Sequence, residues 1–204
     1  IAETGRIDVL VNNAGYGSYG AIEDVTLDEA RRQFEVNVFG LGRLTQLVLP
    51  HMRAQRSGTI INISSMGGRL TTPLGGWYHA TKYAVEALSD ALRMETAPFD
   101  IDVVVIEPGG IRTEWSGIAA DHLEETAEGS AYASQIKAVA NSMRSESTNK
   151  RQSPPSVIAD TVEKIVTARK PRTRYVVGFA AKPLVTLRRL LPDRAFDRVI
   201  SAAL

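Results

Sequence analysis

Residues 7–20 read IDVLVNNAGYGSYG. The run Ile7–Val11 is mostly apolar and β-branched and ends in Asn-Asn-Ala-Gly, which suits a strand of a parallel sheet buried on both faces. The glycines that follow, Gly15-x-Gly17-x-x-Gly20, match the spacing of a phosphate-cradling loop letter for letter. Glu35 stands twenty residues beyond Gly15, where that pattern wants an acid. A true loop of this kind opens its helix at the third glycine, so that free N–H groups meet the phosphates. Here Gly20 runs into Ala21-Ile22-Glu23-Asp24-Val25, and the capping box Thr26-Leu27-Asp28-Glu29 comes only afterwards. Glu35 then falls inside the helix that the box opens. The match is a decoy, and the informative part is Asn12–Gly15, a turn at the carboxyl end of a strand.

Working outward, a helical pattern runs from Thr26 through Phe34, Leu41 and Val48 to near Ser57-Gly58. Thr59–Ile63 (TIINI) reads as a second strand, residues 64–76 as a polar loop, and Trp77 to about Thr96 as a helix with an alanine-rich stripe. Ile101–Ile106 (IDVVVI) reads as a third strand stopped by Pro108-Gly109-Gly110. Residues 114–153 are polar and poorly patterned and read as a long loop or lid. Ser153-Pro154-Pro155 opens a helix to about Ala168, Tyr175–Gly178 reads as a short strand, and residues 183–204 as one basic amphipathic helix. Strands alternating with helices predict an α/β fold with a parallel sheet covered on both faces. No repeat or second domain is visible.

The 204 residues carry a net charge of +1, which argues against a nucleic-acid binder. Cysteine is absent, which excludes disulfides and thiolate metal sites and fits a reducing, cytoplasmic setting. The three histidines show no ligand spacing, so no metal site is expected. No apolar run reaches membrane-spanning length and no signal peptide is visible.

Tyr78 and Lys82 form Y-x-x-x-K on the third predicted helix, one turn apart on one face. A free phenol is a poor base at neutral pH, but a cation beside its hydroxyl favours the phenolate. The pair makes a general acid/base; a packed tyrosine beside a solvated lysine would read the same way. Ser65 lies thirteen residues before Tyr78, just past a strand end, where parallel sheets place their ligands. A local turn bond is the alternative use of that hydroxyl. Asn37 sits mid-helix, where asparagine is unfavourable unless it faces solvent or serves a buried water.

Asn12-Asn13-Ala14-Gly15, Asn37, Ser65, Tyr78-x-x-x-Lys82 and Pro108-Gly109 occur in the order and spacing of the short-chain dehydrogenases/reductases, and the chain resembles that family over nearly its whole length. The stretch PRTRYVVG and the tail after it resemble the hydroxysteroid- and retinol-dehydrogenase-like branch. The resemblance implies a Rossmann-type doubly wound parallel sheet, present from strand four onward, and an oxidoreductase that uses NAD or NADP on an alcohol/carbonyl substrate of apolar character. Tyr78 would be the general acid/base, Lys82 would lower its pKa and bind the nicotinamide ribose, and Ser65 would hold the carbonyl oxygen. Asn37 would hold a relay water. Asn12, Ala14 and Gly15 would line the cofactor, and Pro108, Gly109, Ile111 and Thr113 would bind the nicotinamide carboxamide. The family also implies a homodimer or homotetramer through the two long helices.

The family carries its glycine-rich loop after strand one, and nothing here matches it. The chain therefore reads as the C-terminal portion of a single domain, with roughly 75–90 residues expected upstream as three strand-helix units. Its first strand would then be an exposed apolar edge. Two other functions stay open: a non-catalytic dinucleotide-binding scaffold, and an epimerase or dehydratase using the same Tyr-Lys pair. Residues Trp115, Ile118, Leu123, Tyr132 and Ile136 could line a substrate pocket or simply pack between helices. Between Arg169 and Arg198 nine Lys/Arg face two Asp. That tail either touches an anionic membrane surface weakly or packs on the body with a solvated basic face.

Overall fold

The computed structural model describes residue 1 and residues 3–203; Ala2 and Leu204, the last residue of the expected tail helix, lie outside the described residues. Four parallel strands form one sheet in the order β1-β2-β3-β4: β1 (Val9–Asn12), β2 (Gly58–Ile63), β3 (Ile101–Pro108) and β4 (Arg174–Val177). Each parallel step is bridged by helix, as the alternation predicts. Helices α1 (Leu27–Phe34) and α2 (Leu41–Gln55), joined by a π-helical segment Glu35–Gly40, connect β1 to β2, and α3 (Gly76–Thr96) connects β2 to β3.

The period of two along the strands sorts the core into two layers. Ile60, Ile101 and Val103 face Val48 and Met52 of α2, with Leu92 of α3 at the margin. Ile61, Val104 and Ile106 face the other way, against Ile158, Val162 and Ile165 of α7 (Ser156–Thr167). Val9 and Val11 are in register with Thr59 and Ile61, on the α7 side of the sheet, yet they remain 37% and 40% exposed. The expected apolar edge is thus present at β1.

The capping box forms by half. Thr26 accepts from the Glu29 amide at 3.2 Å, but the Glu29 carboxylate accepts instead from the Tyr16 hydroxyl at 3.0 Å. The helix cap thereby ties down the glycine-rich connector.

Two expectations are corrected. Residues 114–153 are not a loop but three helices, α4 (Trp115–Glu125), α5 (Ala133–Arg144) and α6 (Glu146–Arg151). Their buried residues include Ala119, Ala120 and Ala140, whose small side chains give little hydrophobic signal. The tail is not one helix but two, α8 (Ala181–Leu190) and α9 (Asp193–Ala203). Leu191 is extended (φ −91°, ψ 139°) because Pro192 follows it. The apolar stripe of the tail is committed within the molecule: Leu184, Leu187, Leu191, Phe196 and Ile200 cluster on Leu70. The packed arrangement, not the membrane-facing one, accounts for its amphipathicity. No helix among the described residues is long and apolar enough to cross a membrane.

Candidate active site

The carboxyl ends of β1, β2 and β3 point the same way, so the segments leaving them, Asn13–Gly20, Ser64–Gly75 and Gly109–Glu114, share one edge of the sheet. The first turns of α3 rise beside them and carry Tyr78 and Lys82. Topology alone therefore brings together residues far apart in sequence.

Tyr78 is 7% exposed. Its ring lies 5.4 Å from that of Trp115 and 5.6 Å from that of Tyr19, centroid to centroid. Burial pushes the phenol up to about 12, while the Ser65 hydroxyl acts in the opposite direction. Ser65 caps the short turn Met66–Gly68, its Oγ accepting from the Gly67 amide at 3.0 Å. The local turn bond and the approach to Tyr78 therefore coexist at one hydroxyl.

Lys82 is as buried as Tyr78. Its Nζ donates to the Ile63 carbonyl at 3.0 Å and stands 5.9 Å from the Tyr78 ring centroid. Burial pulls the amine down to about 8, and Glu86 pulls the other way. A cation and a phenol thus lie side by side at a strand end, each shifted from its ordinary range.

Asn37 lies in the π-helical segment, where a widened turn accommodates a residue that an α-helix disfavours. Its Oδ1 accepts from the Tyr16 amide at 3.0 Å, and its Nδ2 donates to the Tyr16 carbonyl at 2.9 Å and to Thr81 Oγ1 at 3.0 Å. Asn37 therefore pins the β1 turn to α3. Gly15 is pressed against it: a Cβ there would stand 3.0 Å from Asn37 Oδ1 and 3.6 Å from Lys82 Nζ. Ala14 is exposed beside it, whereas Asn12 turns inward, donating to Asn62 Oδ1 at 2.9 Å and to Thr45 Oγ1 at 3.2 Å.

Pro108 ends β3, and Gly109 must lack a side chain, because a Cβ would stand 2.2 Å from the Phe179 carbonyl oxygen. Ile111 pairs with Ser153 in an isolated bridge, and exposed Thr113 accepts from the Trp115 amide at 3.3 Å. Of the pocket candidates, only Trp115 is in ring contact with Tyr78; Leu123 and Ile136 are core residues of α4 and α5, Tyr132 packs at their margin, and Ile118 is exposed. A cleft of about 650 Å³ between the start of α1 and the end of α4, lined by Asp24, Glu29 and Glu125 among others, does not include Tyr78.

Three contributors escape a reading of the sequence. Thr81 is the partner of Asn37. Tyr19 walls Tyr78. His79 accepts at Nε2 from the Thr72 amide at 3.1 Å and so holds its proton on Nδ1, facing the Gly67 carbonyl at 3.0 Å. It staples the Ser65 loop to α3. None has a spacing signature, since each partner comes from another element.

A family model described as short chain dehydrogenase matches residues 1–124. The chain belongs to the short-chain dehydrogenase family. It is 40% identical over 174 residues to oxidoreductase BOA17 of Botryotinia fuckeliana, covering 85% of this chain and 62% of that protein. It is 38% identical over 200 residues to an NADPH-dependent 3-dehydrocapnine reductase of Ornithobacterium rhinotracheale, covering 95% of this chain and 69% of that one. Among solved structures, a short-chain dehydrogenase from Streptomyces avermitilis superposes with a TM-score of 0.73 at 34% identity, over 92% of this chain and 66% of that one. The chain thus spans under two thirds of the length of the first and third of these. The Rossmann-type α/β architecture expected from the motifs is that of this dehydrogenase family.

Proposed function

We propose that this site moves hydride and proton between a nicotinamide dinucleotide, NAD or NADP, and an alcohol/carbonyl pair. The observation that carries the reading is the convergence of Ser65 and Lys82 on the buried Tyr78 phenol at the carboxyl edge of the sheet.

The residues present fit the nicotinamide half of such a cofactor. Lys82 Nζ, the Tyr78 hydroxyl and the Thr113 hydroxyl are hydrogen-bonding groups at that edge. Ala14 and Gly15 offer exposed backbone there, and Pro108, Gly109 and Ile111 shape the turn opposite. When bound, the reduced cofactor supplies the hydride to the carbonyl carbon. Tyr78, neutral at physiological pH with its phenol pushed up to about 12, gives its proton to the carbonyl oxygen, which Ser65 holds. The phenolate so formed is stabilised by the Lys82 ammonium and regains a proton through a relay that includes Asn37. Oxidation runs the same steps in reverse. Asn12 serves by bracing β1 against β2 and α2 rather than by reaching outward. The similarity to an NADPH-dependent reductase supports a nicotinamide dinucleotide as the cofactor.

The aromatic wall of Tyr19 and Trp115, with Leu74 beside it, supports an apolar substrate. Exposed Val36, Phe39, Leu44 and Leu47, with Tyr83 and Leu88 on α3, support a homodimer or homotetramer built on the long helices. Light scattering of the whole protein at micromolar concentration checks this, and a lone protomer there would remove it. Residues 1–204 form the catalytic part of one domain in this reading, in a cytoplasmic enzyme.

The decisive experiment is Tyr78→Phe in the whole protein. Turnover read as a change in NAD(P)H absorbance should fall by about 10²–10⁴-fold. Hydride transfer at a near-wild-type rate would sink the acid/base role.

A further inference from the structure

One turn beyond Lys82 on α3, Glu86 opens a second buried polar cluster that the proposed reaction does not use. Its carboxylate is as buried as the Lys82 amine (5% against 7% exposed). Glu86 Oε2 accepts from Arg174 Nε at 3.1 Å and stands 3.8 Å from Arg69 Nη1. Arg174 also donates through Nη2 to Asp90 at 2.7 Å. Its Nε lies 3.2 Å from Glu107 Oε1, off the N–H direction, so that oxygen accepts no hydrogen bond. Glu86 Oε1 and Ser64 Oγ are also buried without a hydrogen-bond partner. Gly68 touches both halves of this arrangement: a Cβ there would stand 2.7 Å from Ser64 Oγ, 3.0 Å from Glu86 Cγ and 3.0 Å from the Lys82 carbonyl oxygen.

Lys82 and Glu86 are four residues apart, so they share one face of the helix in low-dielectric surroundings. Every other group found against Lys82 is uncharged: the Ile63 carbonyl, the Tyr78 ring and Gly15 beside the Asn37 amide. Among the described residues no ion pair joins Lys82 to a carboxylate. Glu86 itself is faced by Arg69 from the β2–α3 loop, Glu107 from β3, Arg174 from β4, and Asp90 and Lys82 from its own helix.

We propose that Glu86 is a positioning residue for charge, which keeps Lys82 in its ammonium form at neutral pH, with Arg69 and Arg174 limiting how much of the carboxylate's field reaches it. The functional importance of this rests on Lys82 acting on Tyr78, as read above. The electrostatic coupling itself does not depend on that reading. Burial alone drives the amine toward the neutral form, and a neutral amine offers a phenolate a weak N–H donor but no positive charge. Glu86 acts against that drift, and the sign of its effect is opposite to that of Arg69.

The test is the titration of Lys82 in the whole protein, followed by NMR of ¹³Cε-labelled lysine, with the signal assigned by its loss in Lys82→Met. Glu86→Gln should move the Lys82 midpoint down by about one pH unit. Arg69→Met, at a half-exposed side chain that threatens the fold little, should move it up. A midpoint unchanged in Glu86→Gln overturns the inference, and a purely structural Glu86 would give that result even while stability fell. Should Glu86→Gln not fold, Glu86→Asp, which keeps the charge but draws it back by one methylene, carries the test: a smaller downward shift supports the inference and none refutes it. The alkaline limb of the pH profile of kcat/KM should follow the midpoint. If the midpoint moves and the limb does not, the coupling stands and the catalytic role of Lys82 falls.

Discussion

Two successive stretches of α3 bury polar groups in opposite ways. Around Tyr78 and Lys82 the direct partners are neutral: a backbone carbonyl, a serine hydroxyl and aromatic rings. Around Glu86 and Asp90 the partners are guanidinium groups at 2.7–3.1 Å. The first arrangement leaves charge under-compensated, so the phenol is pushed up to about 12 and the amine down to about 8. The second compensates charge and ties β4 to α3. The first suits the proton transfer proposed above, which needs groups whose protonation can change, whereas a staple needs groups whose protonation does not. Both lie on one helix because successive turns of α3 pass first the strand ends and then the body of the sheet.

Substitutions at the two stretches should separate these roles. The largest effect is expected from Lys82→Met, which should lower turnover of the whole protein by about 10²–10⁴-fold without lowering stability at neutral pH. The linkage has a definite sign. The folded amine, at about 8, sits below its ordinary 10.5, so the wild type gains stability as pH rises from about 8 to 10.5. Urea unfolding of Lys82→Met should lack that gain; the same rise in the variant would mean that another group causes it.

Arg174→Met should do the reverse, leaving Glu86 and Glu107 buried without their shared cation. A cost of about 3–5 kcal/mol is expected near pH 8. Glu107 is already pushed up to about 6 by burial and by Glu86, and loss of Arg174 pushes it further. A carboxyl whose folded pKa is raised destabilises increasingly above its unfolded pKa, so the defect should shrink toward pH 5. A loss independent of pH would assign Arg174 to packing instead.

The same contrast separates what was legible in the chain from what was not. Strand ends followed by small or polar residues are local signals, so Asn12–Gly15, Ser65 and Pro108-Gly109 could be placed from the sequence. Tyr78 and Lys82 declare themselves by a spacing of four. Glu107 left a trace, an acid inside an apolar strand, but its partner Arg174 lies far along the chain. Trp115 was named as a pocket candidate, yet its neighbours Leu123 and Ile136 were equally eligible and turned out to be core. Residues 114–153 read as a loop in sequence because α4 and α5 bury alanines against Tyr19 and Leu74, which other segments supply. Their periodicity is weak because the partner surface, not their own apolar content, holds them.

By itself, then, the sequence determined the alternation of strand and helix, the edge of the sheet where the candidate site lies, and the residue types gathered there. Apolar periodicity, capping and turn formation act over a few residues and are written locally. Tertiary structure alone decided which polar group stands beside which: Asn37 on Tyr16 and Thr81, His79 on Gly67, and Glu86 on Arg174. Those pairings depend on how a parallel sheet stacks distant segments, and burial in low-dielectric surroundings strengthens each of them.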